Sequence, residues 1–144
     1  MDNPIAPIHD DELLYRRIPA SSNPQLYDPG SGLSPKAFQP SKPDLTGLSI
    51  DRARFHENSA ERAAALGRKG KRYYIAVLRA SDIRRLLKIE PKPVPGNPGH
   101  AELPELRYDN HRDQASEQHM MMLRNLCVRI EGPFDGEQVP DQET

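Results

Sequence analysis

"RYYIAVL", residues 72–78, decides the fold class. Tyr73, Tyr74, Ile75 and Val77 are aromatic or β-branched, the types that fill a pleated surface. Both alternating sets are apolar, so the spacing predicts a central strand buried on both faces. Downstream, "SDIRRLLK" (81–88) predicts a short helix capped by Ser81, with Ile83, Leu86 and Leu87 turned inward. Upstream, "ENSAERAAALG" (57–67) predicts another helix. Asn58 is its expected cap, Glu61 completes a capping box, and Gly67 ends it.

Further out, "ELLYRRI" (12–18) alternates as a first strand, and "GLSID" (47–51) reads as a short one. "PKAFQP" (35–40) is a short strand or turn anchored by Phe38. "HAELPELRY" (100–108) is extended, with Pro104 interrupting it or placing it at an edge. "DQASEQHMMMLRNL" (113–126) is helical and "CVRIEG" (127–132) is a last strand. The expected class is α+β: a small mixed or antiparallel sheet with two or three short helices and long Pro-rich loops. A chain of 144 residues is most simply one domain, with residues 1–11 and 133–144 expected as flexible tails.

Proline marks where regular structure stops. Eight of fifteen prolines lie within 4–43 and five within 91–104, whereas 44–90 has none. Proline fixes φ and removes a donor, so the proline-free window holds the regular core. "PKPVPGNPG" (91–99) is a stiff loop suited to presenting a surface or covering a cleft, and His100 at its end is a candidate polar group in that cleft.

Charge is sorted along the chain. Residues 16–92 carry sixteen Lys and Arg against seven Asp and Glu, a net of +9, and the remainder carries −10. Such sorting means a polyanion site or a basic core that docks its own acidic ends. No apolar run approaches the roughly 20 residues of a membrane helix. "MDNPIAPIHDDE" has acids where a signal peptide needs basic residues, and Cys127 stands alone, so a reducing cytoplasmic setting is expected. In "LCVRI", Cys127 reads as a small buried hydrophobe.

No P-loop, dinucleotide glycine fingerprint, paired-cysteine zinc site or His-Glu-x-x-His helix is present, and the five histidines are scattered, so no metal site is expected. Arg68, Lys69, Lys71 and Arg72 crowd a glycine turn beside two tyrosines. They read as a phosphate-neutralising surface or as a solvated turn. In "LYRR", alternation puts either Arg16 or Arg17 on the core face of its strand. A buried guanidinium there clamps a nucleotide phosphate, or it forms a salt bridge to Asp44, Asp51, Glu102 or Glu105.

The succession "LYRR", "GLSIDRA", "AERAAAL", "GKRYYIAVL" and "IEPKPVPGNPGHAEL" resembles the small ADP-ribosyltransferase fold. Residues 61–103 are similar in layout to the rifampin-modifying ADP-ribosyltransferases. The chain has Arg where the rifampin-type site has His, and Glu102 and Glu105 stand three apart, not two. The resemblance implies an NAD-cleaving enzyme with Arg16 or Arg17 holding NAD, Ser49 supporting the pocket, and Glu102 or Glu105 orienting the ribose. A carboxylate there also stabilises the oxocarbenium-like charge as nicotinamide leaves.

With no catalytic motif and with this charge sorting, the first expectation is a small accessory or regulatory binding protein without a cofactor. Its surface would be Arg17, Arg68, Lys69, Lys71, Arg72 and His100 with the Pro-rich loop. A protein partner ranks first, a nucleotide or NAD is next, and nucleic acid ranks lower. The second expectation is the NAD-cleaving enzyme, with Arg16, Ser49 and Glu102 as its site. The third is a structural subunit or toxin-system component bound through its C-terminal helix, because Met120, Met121, Met122, Leu123 and Leu126 exceed one inward stripe.

Overall fold

The structure, a computed structural model, describes residues 3–139. Its strands are β1 (Leu13–Pro19), β2 (Tyr27–Asp28), β3 (Gly32–Leu33), β4 (Leu48–Arg52), β5 (Arg72–Arg79), β6 (Glu90–Pro91), β7 (His100–Leu103) and β8 (Arg129–Asp135). Its α-helices are α1 (Ala60–Ala64), α2 (Ala80–Arg84) and α3 (Gln114–Leu126). Six strands form an antiparallel sheet in the order β6-β7-β4-β1-β5-β8, and β2 and β3 form a separate pair. The fold is α+β.

The "RYYIAVL" strand is β5, paired to β1 from Leu13↔Arg79 to Pro19↔Tyr73 and to β8 on its other side. Its alternating sets feed two cores. On the first face Leu14, Ile18, Leu48, Ile50, Ala76, Leu78, Ala101 and Leu103 pack with Phe38, Ile83, Met120 and Leu123. On the second face Tyr15, Tyr73, Ile75 and Val77 pack under Ala60, Ala63 and Ala64 of α1. Small alanines let the short helix sit close to the sheet.

Helix α1 packs on β1, β5 and β8. The remainder of the second face, over β4 and β7, carries polar side chains: alternation with buried Leu48, Ile50, Ala101 and Leu103 puts Ser49, Asp51, His100 and Glu102 there. This polar half of the sheet is where candidate chemistry collects.

Several local expectations are corrected. Ser59, not Asn58, caps α1, its side chain accepting from the Arg62 N–H. Glu57 and Asn58 hold positive φ and form the turn before it, so the helix starts later than expected. At α2 the N-cap position is Arg79, with no side-chain cap, and Ser81 lies inside the helix. Residues Pro35–Phe38 form a 3₁₀ turn, with Phe38 buried as its anchor. Proline at the first position of the turn suits helical φ.

The ends are engaged where they are described. Ile8 is buried, and Arg52 donates to the carbonyls of Pro4, Ala6 and Pro7. Strand β8 takes in Pro133, Phe134 and Asp135, and Gly136, Glu137 and Gln138 donate backbone hydrogen bonds to Lys71, Ala65 and Gly67. Residues expected as tails are therefore built into the fold on both sides, while 1–2 and 140–144 lie outside the described residues. Met120 and Leu123 face the core, whereas Met121 and Met122 are exposed. Among the described residues no helix is long and apolar enough to cross a membrane.

Candidate functional site

Strand pairing between β1 and β4 is confined to Leu14↔Arg52 and Tyr15↔Asp51. Past that point the Arg16 side chain supplies the link. Its Nε donates to the Ala37 carbonyl at 3.0 Å, and its two terminal nitrogens donate to Ser49 at 3.0 Å and Gln39 at 3.4 Å. An arginine can replace strand pairing here because its planar fork presents several donors at once. Burial pulls the Arg16 guanidinium below its ordinary pKa, and the carboxylate of Asp44 acts against that shift.

Arg17 points to the opposite face. Its Nη1 lies 2.6 Å from Asp51 Oδ2 and donates to the Ala63 carbonyl at 3.3 Å. The salt bridge weighed for the paired arginines is therefore Arg17 with Asp51. Asp51, only 2% exposed, also accepts from Asn97 Nδ2 at 2.7 Å. The stiff loop thus reaches back onto the sheet: Gly99 lies so near the Ala53–His56 turn that a Cβ there would fall 2.7 Å from Phe55 Cβ.

Beside this pair sits a chain of polar contacts. Register places Ser49 opposite Glu102 and Asp51 opposite His100. The single proton of Ser49 Oγ has two acceptors in reach, Asp44 Oδ1 at 2.8 Å and His100 Nε2 at 3.1 Å. His100 Nδ1 is 2.8 Å from the Lys92 carbonyl. A carbonyl only accepts, so Nδ1 carries a proton and Nε2 is the nitrogen turned to Ser49. In the neutral imidazole Nε2 is then a proton acceptor, oriented by a backbone group. Glu102, 9% exposed, accepts from Thr46 Oγ1 at 2.7 Å, with Lys92 Nζ 3.9 Å away.

Of the candidate residues, Ser49, His100, Glu102 and Arg17 share one face, whereas Arg16, expected beside Ser49 and Glu102 as the group that holds NAD, lies on the other with its guanidinium bound to three main-chain carbonyls. Glu105 is not part of the group: its Oε1 accepts from the Lys88 N–H at 2.7 Å. Arg68, Lys69, Lys71 and Arg72 are exposed, and Arg72 lies 3.7 Å from Asp135. Tyr73 is buried with its hydroxyl accepting from the Arg68 N–H, and Tyr74 meets Tyr27 edge-on at 4.7 Å. Both tyrosines of the basic turn are packing residues.

A separate groove of about 590 Å³ runs between the Pro35–Phe38 turn and α3, lined by Lys36, His111, Arg112, Met120 and Met121 among others. It lies away from the Ser49, Glu102 and His100 group. Among the described residues no group of three His, Cys, Asp or Glu side chains is placed to hold a metal ion. Cys127 is half-buried, and burial raises its thiol pKa.

Asp44, Thr46, Asn97 and His56 complete the site. Asp44 could be reached from sequence as a salt-bridge candidate, but Thr46, Asn97 and His56 carried no spacing signal. His56 is 8% exposed, and burial holds its imidazole below the ordinary 6.5. The Asp51 charge opposes this and the Arg17 charge adds to it. A lowered imidazole pKa means the unfolded chain binds the proton better. His56 therefore contributes stability that is intact above 6.5 and is lost as pH falls through its lowered native value. Urea unfolding at stepped pH should show a decline below 6.5 that is shallower in His56→Leu.

Comparison with protein-family models, curated proteins and solved structures returns no match.

Proposed function

We propose that the protein cleaves NAD, transferring or releasing ADP-ribose, on the polar half of the second sheet face. The observation that supports this reading is the register of Ser49 opposite Glu102, with His100 Nε2 hydrogen-bonded to Ser49 Oγ. A carboxylate, a hydroxyl and an oriented proton acceptor then stand side by side, with Arg17 on the same face.

The chemistry asked of them is limited. The bond between the ribose anomeric carbon and the nicotinamide nitrogen breaks, and its electron pair neutralises the pyridinium. The ribose becomes oxocarbenium-like, and in this reading Glu102 stabilises that charge or holds a ribose hydroxyl. An acceptor, water or a hydroxyl, forms the new bond at the same carbon, and His100 Nε2 takes its proton. With water, NAD yields nicotinamide, ADP-ribose and one proton. Incubation of pure protein with NAD is expected to release nicotinamide measurable by chromatography. No release with water or with hydroxyl and guanidine acceptors present overturns the reading.

A second reading is an accessory protein that binds an acidic partner through the basic turn. Two shallow cavities flank Gly70, one of about 450 Å³ and one of about 620 Å³, and Arg72 lines both. Asp135 and Glu137 line the larger one, so the acidic C-terminal strand already answers part of the basic charge. That ranks this reading second.

A further inference from the structure

The groove between the Pro35–Phe38 turn and α3 stands out for what its side chains leave unpaired. Lys36, Arg112 and Glu117 line it, and all three are exposed. Among the described residues none of them makes a salt bridge or a side-chain hydrogen bond. Elsewhere cations at cavities are held: Arg62 lies 3.3 Å from Glu57 beside α1, and Arg72 lies 3.7 Å from Asp135 at the basic turn. His111 also lines the groove. Its ring stacks on Tyr108, 5.2 Å between centroids, and its Nδ1 donates to the Tyr108 carbonyl. That leaves Nε2 as the proton-accepting nitrogen of the neutral imidazole. This Nε2 has no partner among the described residues and, unlike His56 Nε2, is open to solvent.

The rest of the groove is apolar. Met120, 6% exposed, and Met121, 49% exposed, line it from α3. Met122 is exposed as well, so apolar surface continues on α3 past the groove. Methionine is unbranched and polarizable, and it adapts its shape to a partner. Exposed apolar side chains rimmed by unpaired charge mark an interaction surface. Two free cations against one free carboxylate favour an acidic occupant over a basic one. His111 Nε2 asks for an N–H, which a peptide backbone supplies and a simple carboxylic acid anion does not. The volume of about 590 Å³ takes a few side chains.

We propose that this groove docks a short acidic peptide segment of a partner protein, one with an apolar side chain next to its carboxylate. The carboxylate meets Arg112 and Lys36, the apolar side chain lies on Met120 and Met121, and a peptide N–H donates to His111 Nε2. Glu117 limits the acidity that the groove accepts. The docking site is independent of the proposed NAD chemistry and lies on other residues.

The test is an NMR titration of the full chain with the peptide acetyl-Gly-Leu-Asp-Leu-Gly-amide. Saturable shifts are expected at Lys36, His111, Arg112 and Met121. The same peptide with lysine in place of aspartate should bind about tenfold more weakly. Raising salt from about 0.05 M to about 0.5 M should weaken the acidic peptide several-fold. Lys36→Glu combined with Arg112→Glu should cost about tenfold in affinity. Tm should stay nearly unchanged in that variant, because neither side chain is bonded in the fold. Met121→Ser should weaken binding about threefold. The proposal is overturned if the acidic peptide leaves these signals unmoved, or if the lysine peptide or the double variant binds as well. It is also overturned if octanoate, which has a carboxylate and an apolar chain but no N–H, binds as tightly as the peptide. NAD cleavage without peptide binding removes the docking site alone, and peptide binding without NAD cleavage removes the reaction alone.

Discussion

Replacing Arg52 with leucine is expected to lower stability by about 3–5 kcal/mol, the cost typical of stripping one partner from a buried ion pair. Arg52 is 0% exposed, and its Nε and Nη2 meet the two carboxylate oxygens of Glu12 at 3.0 and 2.8 Å. The same guanidinium holds the Ala6 carbonyl at 3.0 Å and lies 4.9 Å from the Phe55 ring centroid. Removing it strands Glu12 in the interior with the His9 N–H, at 2.8 Å, and the more distant Arg54, at 3.6 Å. It also releases the carbonyls of the N-terminal segment. Against a typical total of about 5–15 kcal/mol, that loss is large enough to unfold part of the population near physiological temperature.

Lysine should not rescue the site, because a point charge cannot reproduce the two-pronged contact. The pair Glu12→Leu with Arg52→Leu should be less damaging than Arg52→Leu alone, since no buried charge is then left unpaired. Denaturant unfolding of the single and double variants measures this directly, and a loss under about 1 kcal/mol for Arg52→Leu contradicts it. Burial would raise the Glu12 pKa, but the Arg52 hydrogen bond, the His9 N–H and the Arg52 and Arg54 charges outweigh it and leave the pKa below 4.5. The Glu12 contribution is thus present above 4.5 and is lost as pH falls through its lowered native value.

Glu102→Gln is expected to reduce the proposed NAD cleavage by about 10²–10³-fold while leaving the fold intact. The amide keeps the size of the side chain and can still accept from Thr46 Oγ1, but it cannot offset positive charge on the ribose. The loss should fall mainly on kcat, because the interaction strengthens as charge develops. Unchanged turnover in the glutamine variant, with wild-type activity present, assigns that role to another group.

The sheet was legible because β5 announces itself through residue type, and because Ile50 and Ala101 are flanked by polar neighbours on both sides. Ser49 and Glu102 were named together only through the resemblance, and the register that sets them opposite one another belongs to the structure. The two arginines of "LYRR" were legible as a pair that needs partners, and Asp51 was among the candidates. What each guanidinium would meet was not, because Arg16 is satisfied by three main-chain carbonyls, and carbonyls leave no trace in residue identity. Asn97 and His56 were hidden for another reason. Asn97 reaches a carboxylate 46 positions away from inside a proline-rich loop, and His56 is positioned by a 3₁₀ turn. Likewise Glu12 and Arg52 lie 40 positions apart, so their pairing belongs to the tertiary fold. The charge sorting was half legible: Asp135 and Glu137 belong to β8 and the residues after it, which fold back against the basic turn.

The proposed NAD chemistry belongs to the β4–β7 face and not to the basic turn. Backbone amide NMR during titration with NAD tests it in one experiment. Shifts are expected at Ser49, Asp51, Asn97, His100 and Glu102. Shifts confined to Arg68, Lys69, Lys71 and Arg72, or no shift at saturating NAD, contradict it.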